Sequence, residues 1–269
     1  MKLKTLLLPD LLKASSGELE STRDPSLQIE SHCELAIVID VLRATSVMTA
    51  ALHAGANKII TCRAVAEAEL LAKGRSHSTL LCGERDCKRI PGFDLGNSPS
   101  DYSSDRVRQH DLILTTTNGT RAIDAVRGIP ELAVASFLNL SSMVQVISQY
   151  SSVCLVCAGT DRSVTLEDVL LAGAIISQVR RNRLTTAVDD SSELAFQLWQ
   201  SWFSFDFDIN GHPSNSKLSE RLRHTQGGRN LIQLGYEKDL STCALIDAYP
   251  SVPMRVTKEP ATFQSVLNE

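Results

Sequence analysis

Surplus basic charge is what this sequence lacks first: 27 Lys and Arg stand against 31 Asp and Glu in 269 residues, a formal net charge of −4, with a pI near 5.9. Without a general basic field the chain is a poor partner for nucleic acid. An anionic ligand would have to be met by locally placed arginines or backbone amides. Long apolar runs are missing as well. None approaches the roughly 20 residues that cross a bilayer, so a soluble protein with no membrane partner is expected. No secretory signal opens the chain, and its seven cysteines are an odd number lying partly inside apolar runs. That fits a reducing cytoplasm better than a disulfide framework. Repeats, low-complexity tracts and a Pro/Gly-rich linker are absent too, so one domain over residues 1–269 is expected.

Several signatures of hydrolytic chemistry are also missing. There is no Gly-x-Ser-x-Gly elbow, no cysteine loop with Cys-x5-Arg spacing and no Asp-x-Asp of the haloacid-dehalogenase type at any expected strand end. The six histidines, at 32, 53, 77, 110, 212 and 224, show no close ligand spacing. Two cysteine pairs, Cys82/Cys87 and Cys154/Cys157, have spacings that zinc or a redox centre could use. Leu155 and Val156 separate the second pair inside an apolar run, and residues three apart on a strand point to opposite faces. Packing is therefore expected there, and no structural zinc.

What is present is an alternation of short apolar runs with amphipathic stretches, in a chain whose 43% hydrophobic content can bury a sizeable core. Strands are expected at 6–8, 35–41, 58–62, 79–82, 111–115, 132–135 and 153–157. Helices are expected at 44–54, 64–73, 99–107, 119–127, 140–149, 164–181, 190–203, 215–234 and 239–247. Strands that are apolar at every position, not at alternate ones, are covered on both faces. The predicted fold is therefore α/β, a three-layer α/β/α sandwich on a largely parallel or mixed sheet. Gly55 is placed to stop the first helix, and Asn139 to cap the one from Leu140. Residues 15–28 read as a polar loop and 204–216 as an exposed excursion or lid.

Ligands of parallel α/β sheets bind beyond the carboxyl ends of strands, where helix N-termini present free amides. Four expected strand ends carry polar clusters: Asp40-Val-Leu-Arg43-Ala-Thr45-Ser46, Gly83-Glu84-Arg85, Thr115-Thr-Thr-Asn118-Gly119-Thr120-Arg121 and Ala158-Gly159-Thr160-Asp161-Arg162. Each contains an arginine. An isolated Asp at a strand end ordinarily caps a helix or takes a salt bridge, but among such neighbours Asp40 could hold a divalent cation or attack phosphorus. Asn118 reads as an N-cap, with Gly119 letting the backbone approach a ligand closely, although Asn-Gly is also a common turn. In the loop 92–99, Ser98 can cap a helix starting at Pro99, and a phosphate or sulfonate could rest there beside Asn97.

Glu167 and Asp168 open a helix, where acidic residues stabilise the macrodipole. They stand about 100° apart around that helix, so one of them, not both, is expected to face a site. Asp40, Glu84 and one of Glu167/Asp168 would give hard oxygen ligands suited to Mg²⁺ with retained water. The arginines would neutralise a small anionic phosphate ester.

These clusters resemble the 2-phosphosulfolactate phosphatase (ComB) family, in the order Asp40-Val-Leu-Arg-Ala-Thr45, Gly83-Glu-Arg85, Gly92-Phe-Asp-Leu-Gly-Asn-Ser-Pro99, Thr116-Thr-Asn-Gly-Thr-Arg121, Cys157-Ala-Gly159 and Glu167-Asp-Val-Leu-Leu-Ala-Gly173. The likeness continues through Asn139, Gly227-Gly-Arg-Asn-Leu231, Gly235, Asp239, Cys243, Asp247 and Val252-Pro253, and is least over 182–216. It implies a ComB-like fold and a Mg²⁺-dependent acid phosphatase converting 2-phospho-3-sulfolactate to 3-sulfolactate and phosphate, a step associated with coenzyme M biosynthesis. It carries the expectation of a homo-oligomer. Asp40, Arg43, Thr45 and Asn118 are then the expected catalytic residues. Arg43, Ser46, Arg85, Asn97, Ser98, Asn118, Gly119, Thr120 and Arg121 are expected on the substrate, Arg43 and Arg121 foremost and Arg162 as a further candidate. The rival readings are a phosphatase of another phosphorylated hydroxy acid and a non-catalytic sensor of anionic metabolites, for which the acidic residues would have no use.

Overall fold

A computed structural model describes residues 1–9, 33–74, 78–182, 187–203 and 206–266. The polar loop expected at 15–28 lies outside them. The strands are β1 (Lys2–Leu6), β2 (Leu35–Ile39), β3 (Lys58–Thr61), β4 (Thr79–Arg85), β5 (Lys88–Arg89), β6 (Asp111–Thr115), β7 (Glu131–Ala135), β8 (Ser152–Cys157), β9 (Ala187–Val188), β10 (Val252–Thr257) and β11 (Thr262–Val266). The helices are α1 (Ala44–His53), α2 (Val65–Lys73), α3 (Ser104–Val107), α4 (Gly119–Ala125), α5 (Leu140–Ile147), α6 (Leu166–Arg181), α7 (Asp190–Phe203), α8 (Asn215–Arg223), α9 (Gln226–Gln233) and α10 (Lys238–Cys243).

The sheet runs β5-β4-β6-β3-β11-β10-β7-β2-β8-β1-β9. Two parallel blocks, β4-β6-β3 and β7-β2-β8-β1-β9, are joined by the antiparallel hairpin β10–β11. Strand β2 shows why helices must lie on both sides. It is apolar and buried at all five positions, and its pleat sends alternate side chains to opposite faces. Leu35, Ile37 and Ile39 join one core with Leu140, Leu170, Ile175 and Trp199, while Ala36 and Val38 join another with Val47, Met48, Leu114 and Ile123. The three-layer, largely parallel architecture follows. All seven cysteines are free, and Cys154 and Cys157 fall in different cores, on opposite faces of β8. Among the described residues no helix is long and apolar enough to cross a membrane.

The structure departs from the sequence reading at several elements. The first strand is Lys2–Leu6, not 6–8, because it pairs with β8 in parallel from Lys2 onward. The helix expected at 99–107 is a 3₁₀ turn at Pro99–Asp101 followed by the four-residue α3. The helix expected at 215–234 is two, because the Thr225 hydroxyl accepts from Gly228 N and starts α9 afresh. The hairpin β10–β11 was not expected at all. Its Pro253 argues against an inner strand, yet β10 tolerates it because only Met254 is in register with β7. Buried Arg255 then donates to the carbonyls of Arg127, Ile129 and Pro130 at 2.6–2.9 Å, satisfying the link between α4 and β7. Gly55, at φ +97°, does end α1.

Helices α6 and α7 pack at a glycine. A β-carbon added to Gly173 would lie 2.1 Å from the Ala195 carbonyl oxygen and 2.8 Å from Trp199 Cβ. Because the obstacle includes backbone, Gly173→Ala is expected to destabilise the fold by about 1–3 kcal/mol, read as a lower urea midpoint with an unchanged slope. An unaltered midpoint would contradict the close packing.

Candidate active site

Strand β2 ends at Asp40, and the next turn folds back on itself. The Thr45 hydroxyl donates to Asp40 O at 2.8 Å and accepts from Asp40 N at 3.1 Å, while Ser46 Oγ donates to Val41 O at 2.8 Å. Both hydroxyls are buried and serve the turn's own backbone. The Leu42–Arg43 peptide within it is cis. Asp168 ties this turn to the one after β8: its Oδ1 accepts from Val41 N at 2.9 Å, its Oδ2 from Gly159 N at 3.0 Å and from Thr165 Oγ1 at 3.3 Å. Glu84, at the end of β4, does the same for two other loops, accepting from Cys87 N at 2.8 Å and Thr117 N at 2.7 Å. Helix α4 comes close to Asp40 because Gly119 has no side chain. A β-carbon there would lie 2.8 Å from Asp40 Oδ2 and 2.4 Å from Ala44 Cβ.

These turns enclose a cavity of about 270 Å³ whose lining includes Asp40, Arg43, Glu84, Asn97, Thr117 and Asn118, with Asp86, Asp161 and the α9 residues Gly227, Asn230 and Gln233. Arg43 is the one basic residue in that lining. Asp40 is buried, and burial pushes its carboxyl up to about 7. The Ala44 amide opposes this, the nearby Glu84 and Glu167 charges add to it, and Arg43 opposes it. Burial also raises Glu167 and, more strongly, Asp168, where Asp40 and Glu167 add like charge. Four carboxylates thus share one end of the sheet with little cationic relief.

The sequence reading left Glu167 and Asp168 open, and the hydrogen bonds separate them. Both Asp168 oxygens are engaged. Glu167 Oε1 accepts from Gly227 N at 3.1 Å, but its buried Oε2 has no hydrogen-bond partner among the described residues. Among those residues no three His, Cys, Asp or Glu side chains form a ready-made metal cage. Mg²⁺ does not require one, since it characteristically takes one or two carboxylates and completes its shell with waters and substrate phosphate oxygens. Asp40 and Glu84 line the cavity and could meet that demand; Glu167, whose Oε2 has no partner among the described residues, lies outside the lining but near enough for its charge to raise Asp40.

The arginines are distributed differently from the sequence expectation. Arg43 reaches the cavity, but its NH1 donates to Asp239 Oδ2 at 2.6 Å and its NH2 to Cys87 O at 2.7 Å. Arg85 turns to the Glu84 and Arg63 carbonyls and Thr115 Oγ1. Arg121 NH2 donates to Ala158 O at 3.3 Å, and neither it nor Arg85 belongs to the lining. Arg162 is exposed on the turn after Asp161. Ser98 does not cap the turn at Pro99; its hydroxyl donates to Asp239 Oδ1 at 2.5 Å. Thr120 Oγ1 donates to Thr116 O at 2.6 Å, inside α4's own first turn. Asn118 does hold the N-cap position, but its side chain makes no capping bond, and it faces the cavity with Asn97, whose buried Oδ1 is also unpartnered.

Asp239 had no role in the sequence reading. The available signal was its position four residues before Cys243, which puts a charge on the buried face of a short helix. The described part of the 204–216 excursion does not cover this cavity. It walls a separate one of about 830 Å³, where His212 meets Gln178 and Asp247.

The sequence model of one family, described as 2-phosphosulpholactate phosphatase, matches residues 22–258. Curated relatives agree. A protein of Thermotoga petrophila is 39% identical over 225 residues, covering 84% of this chain and 90% of the relative, and one of Thermotoga maritima is 38% identical over the same shares. One of Synechococcus sp. (strain JA-2-3B'a(2-13)) is 36% identical over 228 residues, 83% and 89% of the two chains. Each bears the name "Probable 2-phosphosulfolactate phosphatase".

The raised Asp40 carboxyl has a sign that can be checked. Its folded value of about 7 exceeds the ordinary 3.8, so ionising it disfavours the folded chain. The penalty is absent below the ordinary value, grows as pH rises and is complete above about 7. Metal-free Asp40→Asn is therefore expected to melt higher than metal-free wild type at about pH 8, with little gain at about pH 4, as read by thermal melts in chelator. A lower Tm at the higher pH would contradict the burial of an unrelieved charge.

Proposed function

The chain belongs to the 2-phosphosulfolactate phosphatase family, and from that premise we propose that it is a Mg²⁺-dependent phosphoric monoester hydrolase of the cytoplasm, converting 2-phospho-3-sulfolactate and water to 3-sulfolactate and inorganic phosphate. The reaction breaks the bond between phosphorus and the C2 oxygen, forms a bond between phosphorus and the water oxygen, and leaves the C2 oxygen protonated. The observation that carries the reading is the small cavity in which Asp40 and Arg43 from the turn after β2, Glu84 from β4, Asn97 from the loop before Pro99 and Asn118 from the start of α4 converge.

The charge balance of that cavity supports the metal. A substrate bearing phosphate, sulfonate and carboxylate would enter a space lined by Asp40, Glu84, Asp86 and Asp161, whose one arginine is already paired with Asp239. Like charges at these distances repel in a medium of low dielectric. A divalent cation held by Asp40, with Glu167 nearby, would offset part of that repulsion, and when bound it would supply charge stabilisation to the phosphoryl oxygens. The chain's own groups do the rest. Asn97, whose Oδ1 has no partner among the described residues, and Asn118, whose side chain makes no capping bond, can hydrogen-bond the anionic groups, and Arg43 can meet the equatorial oxygens. Gly119 keeps the space beside Asp40 open. Seven unpaired cysteines, six of them buried, are consistent with a reducing compartment.

Phosphate release from 2-phospho-3-sulfolactate and a panel of other phosphorylated hydroxy acids, with and without Mg²⁺, tests the reading. The expected result is Mg²⁺-dependent release favouring phosphosulfolactate and abolished by Asp40→Asn. Preference for another ester would keep the chemistry and discard the substrate, while tight ligand binding without release would favour a sensor. Trapping a phosphorylated Asp40 would make it the nucleophile in place of a metal ligand. Asn97→Ala is expected to lower kcat/KM roughly 10- to 100-fold, the worth of a hydrogen bond to a charged group. A change under twofold would remove Asn97 from the substrate's contacts.

A further inference from the structure

We propose that Asp239 is a positioning residue for Arg43, fixing the direction in which that guanidinium faces the cavity. The inference rests on the reading of the cavity as the phosphatase site and adds a residue to it that touches no substrate. Arg43 and Asp239 are each 2% exposed. Three contacts fix the guanidinium plane: the 2.6 Å ion pair with Asp239 Oδ2, the 2.7 Å hydrogen bond to Cys87 O, and the ring of Tyr236, whose centroid lies 4.4 Å from Arg43 Cζ. The other oxygen of Asp239 is held in turn by Ser98 Oγ at 2.5 Å. A chain of buried contacts thus runs from the loop before Pro99, through α10, to the cavity wall.

The chemistry of such a pair favours positioning over simple stabilisation. A buried ion pair recovers little more than its own desolvation, and packed apolar residues of the same volume often stabilise a fold as well. What an apolar replacement cannot do is hold a planar group with five donors at a fixed angle. Two of those donors go to Asp239 and Cys87, and the guanidinium belongs to a residue that lines the cavity. Because Asp239 neutralises it, Arg43 offers less long-range attraction for an anion than an unpaired arginine would. Its contribution is a preset donor geometry, and catalysis is sensitive to displacements of about 1 Å in such groups.

A positioning role predicts a particular kinetic split. Asp239→Asn, assayed for Mg²⁺-dependent phosphate release, is expected to lose at least about tenfold in kcat while KM moves less than about threefold, because Arg43 keeps its own charge but loses the carboxylate that orients it. Ser98→Ala, which leaves the ion pair intact, should lower kcat in the same direction by a smaller factor. Chemical rescue separates this role from a structural one: ethylguanidinium should restore activity to Arg43→Ala by occupying the space between Asp239, Cys87 O and Tyr236, and should fail with Arg43→Ala/Asp239→Asn. Should Asp239→Asn not fold, the Ser98→Ala effect and the rescue of Arg43→Ala decide. Wild-type kcat retained in folded Asp239→Asn, or equal rescue with and without Asp239, overturns the proposal while leaving the phosphatase reading in place. A wild type that turns over no ester overturns that reading itself.

Discussion

The carboxyl end of this sheet is built around buried carboxylates held by backbone amides. Asp168 fastens the turn after β2 to the turn after β8, and Glu84 fastens the turn after β4 to the loop after β6. An amide donates a hydrogen bond but carries no net charge, so each clamp fixes a loop without cancelling the ion it holds. The cavity inherits that imbalance. Asp40 sits among the clamps with its carboxyl pushed upward, and one buried Glu167 oxygen has no hydrogen-bond partner among the described residues. A proton would complement that charge, and so would the divalent cation proposed above.

The one arginine at the cavity is used differently. Its charge is already met by Asp239, so it cannot supply the missing complement, but its orientation is determined from three sides. The site therefore divides its work: a cation taken from solution would supply charge, while the protein supplies fixed direction through Arg43, Asn97 and Asn118. The C-terminal helices are part of this design. They are remote in sequence from Asp40, yet Gly227, Tyr236 and Asp239 each touch a carboxylate or guanidinium of the site.

Much of this was legible in the chain itself. The continuous apolarity of β2 and β8 announced a sheet covered on both faces, and the polar residues after β2, β4 and β6 marked where the cavity forms. Legibility stopped where a side chain had several possible partners. Thr45, Ser46, Ser98 and Thr120 look like ligand-binding hydroxyls in sequence, yet each is taken by a nearby carbonyl or carboxylate. Arg85 turns to the Glu84 and Arg63 carbonyls, and Arg121, on α4, reaches Ala158 O and stays out of the cavity lining. The choice between Glu167 and Asp168 needed the long-range contacts with Val41, Gly159 and Gly227. The hairpin β10–β11 escaped notice because Pro253 breaks the pattern of an inner strand, and only the ladder with β7 and β3 shows that it fits.

The central claim is that this cluster of carboxylates is a divalent-cation site. Anomalous diffraction from crystals soaked in Mn²⁺, a hard cation that also prefers oxygen ligands, tests it directly. The account predicts a single strong peak in the cavity within coordinating reach of Asp40 and Glu167, and its loss in Glu167→Gln. A cavity without a peak at saturating Mn²⁺, or a peak only at surface carboxylates, would contradict it.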